Sequence, residues 1–406
     1  MLSRLHSLLN KKSIVKLIIH PSTKNTIHAL FYVLIALPLW AVLFAGLLVR
    51  RTRNTPIRAV AIAPESGFSF MVSFLELLRA RSENGETQDF IIILDRWGHT
   101  TLSALYSEVL GCKISNTRGL RGMFWQALML QPSWLVSLER LDWRDLRQNF
   151  QLPRKVLQIP KNLSRLGDET AKHLDLNGHL VAMAVYASGY DDERSPYKGY
   201  SRSRARLETI GRDLEAGVDY LMSRGCSPVL LGSPDSGRAI IGRKIPRLTE
   251  FGSLGGAHEV AIASRCHYFW TDAVGAWWLS FPFRRPVLVT NEYNQRVPWN
   301  DLTAVPHLVV PIRFQDSSGK DLSLVEGITA KPPFQKREDL LWIRNSPEEI
   351  VDAHREMLAR LAGTWIDSDE VKILRSRYEK HFEQHPQLRP LQIASTFLER
   401  HPHLFE

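Results

Sequence analysis

HYFWTDAVG, residues 267–275, decides the reading of this chain. Aromatic and apolar residues run into Thr271-Asp272, and the small residues Ala273 and Gly275 follow. Such a run reads as a buried strand feeding a helix through a tight turn. Working outward, the same grammar repeats. HLVAMAVY (179–186) is a strand, followed by a helix near 203–224 that stops at Gly225. SPVLLGS (227–233) is a strand, then a helix near 255–266 leads into the quoted stretch. A short helix from Gly275, then PVLVTN (286–291) and VPHLVVPI (305–312), continue the series. Upstream, IRAVAIAP (57–64), a helix near 68–81, FIIILD (90–95), the helix TTLSALYSEVLG (100–111) closed by Gly111, and CKI (112–114) repeat it again. Strands alternating with helices predict α/β architecture on parallel sheets. Residues 151–178 read as a connector, and Ser346-Pro347-Glu348-Glu349 as a capping box opening a helical tail.

The 406 residues suffice for two or three domains, and 44% hydrophobic with 23% charged content is globular. Three dispersed cysteines, Cys112, Cys226 and Cys266, offer neither a disulfide framework nor a zinc site. The net charge of +10 resembles a nucleic-acid signal until it is located. Nine of the 52 basic residues lie within 1–58, ahead of the first acid, Glu65, so the rest of the chain is almost neutral. A membrane explains that placement and nucleic acid does not. Residues 27–49, IHALFYVLIALPLWAVLFAGLLV, carry no formal charge and match a bilayer span. Basic residues flank both ends, and Pro38 sits at the middle, which fits a re-entrant hairpin. The expected organisation is a basic amphipathic segment (1–26), a membrane segment (27–49), two Rossmann-like doubly wound domains (55–175 and 176–335) and a helical tail (336–406). The expected location is the bacterial inner membrane with the body in the cytoplasm.

Ligands of doubly wound sheets bind outside the carboxyl ends of the strands. The residues to inspect there include His99, the 187–193 loop, Ser233, the Thr271–Gly275 turn and Asn291-Glu292. Thr271, Asp272, Ala273 and Gly275 offer backbone N–H groups at a helix start, suited to a diphosphate; the alternative is an ordinary turn with Thr271 or Asp272 as N-cap. Asp191 or Asp192 is a candidate general base toward an acceptor hydroxyl, with His99 as a second candidate, each set against a merely structural role. Arg238, Arg243, Lys244 and Arg247 form a basic patch that would neutralise a diphosphate or simply face solvent. Two patterns mislead. The Gly237–Lys244 run imitates a P-loop but has Arg243 and Ile245 around Lys244. Asp367-Ser368-Asp369 matches a DxD but lies between helices, where it reads as an N-cap. No metal is expected.

From about residue 160 onward the chain resembles a family of bacterial glycosyltransferases encoded near surface-polysaccharide genes. The resemblance rests on Leu166-Gly167-Asp168, the helix Asp213–Arg224, Val229-Leu230-Leu231-Gly232, Glu259–Cys266, Pro286–Asn291, Ser346–Ile350 and Ile393–Phe405. It implies a GT-B-like fold, a nucleotide-sugar donor in the C-terminal half, and a cell-surface or lipid-linked glycan acceptor in the N-terminal half. Three places depart from the family pattern. A His-Val-Arg type motif is replaced by Ala184-Val185-Tyr186, a Ser-Ser-Gly type turn by Asp272-Ala273-Val274-Gly275, and an Ile-Gly-His type motif by Ser66-Gly67-Phe68. These losses leave a second expectation, a catalytically inactive nucleotide- or glycan-binding component of a polysaccharide-synthesis complex. A third, sugar-nucleotide epimerisation, needs no acceptor.

Overall fold

A computed structural model describes residues 60–63, 68–85, 90–93, 99–116, 138–139, 155–185, 211–232, 245–251, 256–272, 275–292, 305–323, 326, 340–383 and 390–405. The segments expected at 1–26 and 27–49 lie outside these residues. Among the described residues no helix is long and apolar enough to cross a membrane. The chain divides into two compact units, one of residues 1–71, 85–98 and 107–140, the other of 72–84, 99–106 and 141–406.

The elements in chain order are β1 (Val60–Ala63), α1 (Phe68–Glu83), β2 (Phe90–Ile93), α2 (Thr100–Leu110), β3 (Lys113–Asn116) and β4 (Leu138–Glu139). The four strands form the first unit's sheet, all parallel, in the order β3-β2-β1-β4. The helix α3 (Lys161–His173) leads into β5 (His179–Ala184), α4 (Gly211–Ser223), β6 (Cys226–Leu230), α5 (Ala257–Ala263), β7 (Tyr268–Asp272), β8 (Val287–Glu292) and β9 (His307–Pro311). These five strands form the second unit's sheet, again all parallel, in the order β6-β5-β7-β8-β9. The α/β reading with parallel sheets holds. A short antiparallel pair, β10 (Arg313–Gln315) and β11 (Leu341–Ile343), precedes the tail helices α6 (Pro347–Leu361), α7 (Asp369–Glu383) and α8 (Ser395–Arg400).

Local sequence accounts for much of this. β7 and β8 are buried along their whole length, as the unbroken apolar runs require of strands covered on both faces. Pro228 is tolerated because β6 is an edge strand. Leu231 N–H reaches across to Met183 O at 2.8 Å and Leu230 N–H points outward to Pro246 O at 2.9 Å. Pro228 shares the phase of Leu230, so its missing N–H falls on the outer side. Gly111 and Gly225 close their helices in left-handed conformation, φ 62° and 72°. The expected capping box is present: Ser346 Oγ accepts from Glu349 N–H at 3.3 Å, and Glu349 Oε2 accepts from Ser346 N–H at 2.6 Å.

Two features depart from expectation. The connector read at 151–178 contains α3, whose buried residues Leu163, Gly167 and Thr170 fall on one helical face. The helix expected from Gly275 is a five-residue 3-10 helix, Gly275–Leu279, followed by a second at Phe281–Phe283. Trp277 and Trp278 stack at 4.4 Å, and both lie near Phe281 in the core. Core packing of these large rings sets the local path in place of a regular helix.

The second unit also buries a charged cluster. Glu76 accepts from Arg79 at 2.9 and 2.8 Å, from Tyr106 at 2.7 Å and from Arg284 at 3.0 Å. Arg79 also donates to Lys155 O at 2.6 Å. The bidentate geometry satisfies a fully buried carboxylate. It fastens the 72–84 and 99–106 helical residues to the 281–284 turn.

A candidate ligand site at the carboxyl edge of the five-stranded sheet

The strand order of the second unit makes a topological switch point between β5 and β7. The chain leaves β5 toward β6 on one side, then returns to β7 on the other. Ligands of such sheets bind outside the carboxyl ends at that point. Ala184 and Thr271 pair across it. The strand ends leading into the 187–193 loop and the Thr271–Gly275 turn are therefore neighbours, although they are 87 positions apart in sequence. Asp191, Asp192, Ser233, Arg238, Arg243, Lys244 and Ala273 lie outside the described residues.

Beneath this edge sits a buried polar cluster. Thr271 and Asp272 are almost fully buried. Asp272 Oδ1 accepts from the Asn291 side-chain amide and from Thr290 Oγ1 at 3.4 Å. Its Oδ2 accepts from Arg344 at 3.3 Å, and Arg344 also donates to Asp213 Oδ2 at 3.4 Å. Burial first, and then the neighbouring Asp272 charge, raise the Asp213 pKa against the pull of Arg344. Asn291 takes a left-handed φ of 54°, which asparagine tolerates better than most residues. It exchanges bonds with Asn345: Asn345 N–H donates to Asn291 Oδ1 at 2.7 Å, and Asn291 N–H to Asn345 Oδ1 at 2.5 Å. Asn345 Nδ2 donates to Pro311 O at 2.8 Å. A left-handed residue held by reciprocal bonds at a strand end is backbone fixed by its surroundings, as binding sites require.

Thr271 and Asp272 thus lie in the floor, and the following turn opens on Gly275 as a 3-10 helix. So short an element sums few peptide dipoles, which weakens the expected contribution of a helix dipole to diphosphate binding. Arg344, Asn345 and Asp213 were not singled out in the sequence. Their signals were slight: Arg344-Asn345 immediately precedes the capping box, and Asp213 opens α4.

His99 lies 4.0 Å from Glu259, its Nε2 facing Glu259 Oε2. Glu259 Oε1 accepts from Gly232 N–H at 3.2 Å, just beyond the end of β6. His99 Nδ1 accepts the Leu102 N–H at 3.3 Å, so the ring caps the start of α2. A neutral ring accepting at Nδ1 carries its proton on Nε2. Burial lowers its pKa to about 4. Among the described residues no group of three or more His, Cys, Asp or Glu could hold a metal ion. Ser368 Oγ accepts from Val371 N–H at 3.2 Å, the N-cap geometry expected for Asp367-Ser368-Asp369.

No protein-family model and no curated protein matches the chain. Among solved structures, it is similar to a glycosyl transferase family 9 protein from Veillonella parvula, with 14% identity, 73% of this chain and 81% of that chain covered, and a TM-score of 0.34. It is similar to the Escherichia coli ADP-heptose lipopolysaccharide heptosyltransferase II, with 14% identity, 75% and 98% covered, and a TM-score of 0.41. An Escherichia coli heptosyltransferase solved with ADP is similar at 12% identity, with 62% and 93% covered and a TM-score of 0.29.

Proposed function

We propose that this chain is a glycosyltransferase moving a sugar from a nucleotide-sugar donor to a cell-surface or lipid-linked glycan acceptor. The observation that carries the reading is the β6-β5-β7-β8-β9 order with the polar cluster of Asp272, Asn291, Arg344 and Asp213 at its carboxyl edge. The family resemblance over the same residues supplies the chemistry. In transfer, the acceptor oxygen bonds to the anomeric carbon, and the bond from that carbon to the phosphate oxygen breaks. The nucleoside diphosphate leaves with the electron pair, and the hydroxyl proton passes to a base, Asp191 or Asp192, with His99 as the second candidate. Charge on the leaving diphosphate is met by Arg238, Arg243 and Lys244 with backbone N–H groups at Ala273 and Gly275. The reaction needs no metal on this reading. The apolar 27–49 segment keeps the body at the inner membrane, on its cytoplasmic side, beside a lipid-linked acceptor.

A second reading is a nucleotide- or glycan-binding component without turnover. The three departures from the family pattern, at Ala184-Val185-Tyr186, Asp272-Ala273-Val274-Gly275 and Ser66-Gly67-Phe68, favour it. The test is thermal stabilisation of the full chain by ADP-, GDP-, UDP- and dTDP-sugars. A ligand at a hundred times its Kd stabilises by about 2.7 kcal/mol. One responsive donor, with the response lost in Arg243→Ala and Lys244→Ala, supports a donor site, and release of free nucleotide establishes turnover. Binding without release favours the second reading. No response to any of the four rejects the donor site.

A further inference from the structure

We infer that His401, near the C-terminus, is a positioning residue for the carboxyl-edge site, acting through the N-terminal cap of α6. The inference rests on the donor-site reading only for the identity of the ligand. His401 Nε2 lies 2.6 Å from Glu349 Oε1. The other oxygen of the same carboxylate accepts the Ser346 N–H at 2.6 Å and so closes the capping box. Immediately before Ser346 stand Asn345 and Arg344, which hold Asn291 and Asp272. One buried carboxylate thus joins the end of the chain to the segment that fixes the site floor. The tail around His401 is itself fastened: Arg400 pairs with Asp352 at 2.6 Å, His403 with Asp321 at 2.9 Å, and Leu404 and Phe405 are buried.

The geometry makes a directional demand. Glu349 must keep Oε2 on the Ser346 amide, and His401 is the group that fixes the rotation of its carboxylate from the other side. Without His401 the carboxylate is free to turn, the cap loosens, and Asn345 loses the anchor from which it holds the left-handed Asn291. A glutamine side chain at 401 carries an amide N–H donor and meets the same need; an alanine does not.

Backbone hydrogen exchange on the full chain tests this directly. In His401→Ala, the Asn291 and Asn345 amides, which are bonded in the reciprocal pair, exchange faster by about tenfold, the effect of one lost charge-assisted hydrogen bond. His401→Gln restores them. The Val181 and Ala182 amides in β5 stay unchanged in both variants. Acceleration confined to 395–405, or equal acceleration in β5, overturns the inference. Calorimetric binding of ADP, GDP, UDP and dTDP to the same proteins is the second measurement. The nucleotide that binds the unmodified chain binds His401→Ala more weakly and His401→Gln equally well; equal affinity in all three overturns the inference. If the unmodified chain binds none of them, the donor reading fails, and exchange at Asn291 and Asn345 still decides the role of His401.

Discussion

Asp272→Asn is the substitution whose consequences can be worked furthest from the geometry. The carboxylate serves donors on both sides: Asn291 and Thr290 on Oδ1, and Arg344 on Oδ2. An asparagine has one oxygen and one NH2. If its NH2 turns to Asn291, two amide donors face each other. If it turns to Arg344, a donor faces a guanidinium. Either orientation removes one bond, and the remaining bonds lose their charge assistance. Losing a partner from a buried ion pair costs about 3–5 kcal/mol when the remaining charge is orphaned. Arg344 keeps Asp213 at 3.4 Å, which places the expected loss lower, at about 2–3 kcal/mol. The shift is read as a lowered urea midpoint at unchanged slope. A double-mutant cycle with Asn291→Ala isolates the shared bond, with an expected coupling of about 1 kcal/mol or more. Asp213 provides an internal check. The Asp272 charge helps to raise the Asp213 pKa, so it falls in the variant. A loss below about 0.5 kcal/mol, or strict additivity with Asn291→Ala, would refute the account of the cluster.

Two further outcomes follow from the packing. Gly217 lies where α4 crosses α6, and a Cβ there would stand 2.9 Å from Ile350, 3.0 Å from Trp270 and 3.1 Å from His354. Gly217→Ala therefore destabilises by about 1–3 kcal/mol, against the gain of about 1 kcal/mol that alanine brings to an exposed helix; a raised urea midpoint would count against that close approach. Burial lowers the pKa values of His99 and His354 to about 4 and about 3. Below about pH 6.5 the unfolded chain binds protons that these rings refuse when folded, so stability falls as the pH drops from about 6.5 toward 3, by up to about 1.4 kcal/mol per pH unit per ring. His99→Asn keeps a capping side chain and removes the titration, so its acid limb in urea midpoints between pH 7 and 4 is flatter than that of the unmodified chain. Equal slopes would contradict the burial of His99 in its neutral form.

The strands were legible because strands covered on both faces are written as unbroken apolar runs, and HYFWTD and PVLVTN are such runs. α3 was hidden for the opposite reason. KNLSRLGDETAKH has few apolar residues, and one of its buried positions is a glycine on which the Arg265 side chain lies. Arg265 pairs with Asp168 at 2.6 Å on the same helix. The helix packs through that arginine as well as through Leu163, and a hydrophobic pattern does not record this. β10 and β11 were equally hidden, since each has three residues and they pair across more than twenty intervening positions. At His99 the sequence offered a strand-end base, and the structure adds a use that the pattern did not announce: its Nδ1 accepts the Leu102 N–H and caps the start of α2.

The site itself was half legible, and the division has a physical cause. Asp272 ends β7 and Asn291 is the last residue but one of β8, both buried strands, so the strand pattern located them. What fixes them, Arg344 and Asn345, comes 72 and 54 positions later, after β9, β10 and β11, and no local periodicity links them. Their arrangement constrains the donor chemistry. The described floor sets two carboxylates, Asp213 and Asp272, around one guanidinium, and a diphosphate laid directly on that surface would meet more negative charge than positive. The carboxylates therefore serve as struts that hold Arg344 and Asn291 in place. On the donor reading, the charge that meets the diphosphate comes from Arg238, Arg243 and Lys244, and Arg243→Ala and Lys244→Ala weaken nucleotide binding without lowering the urea midpoint, whereas Asp272→Asn lowers both.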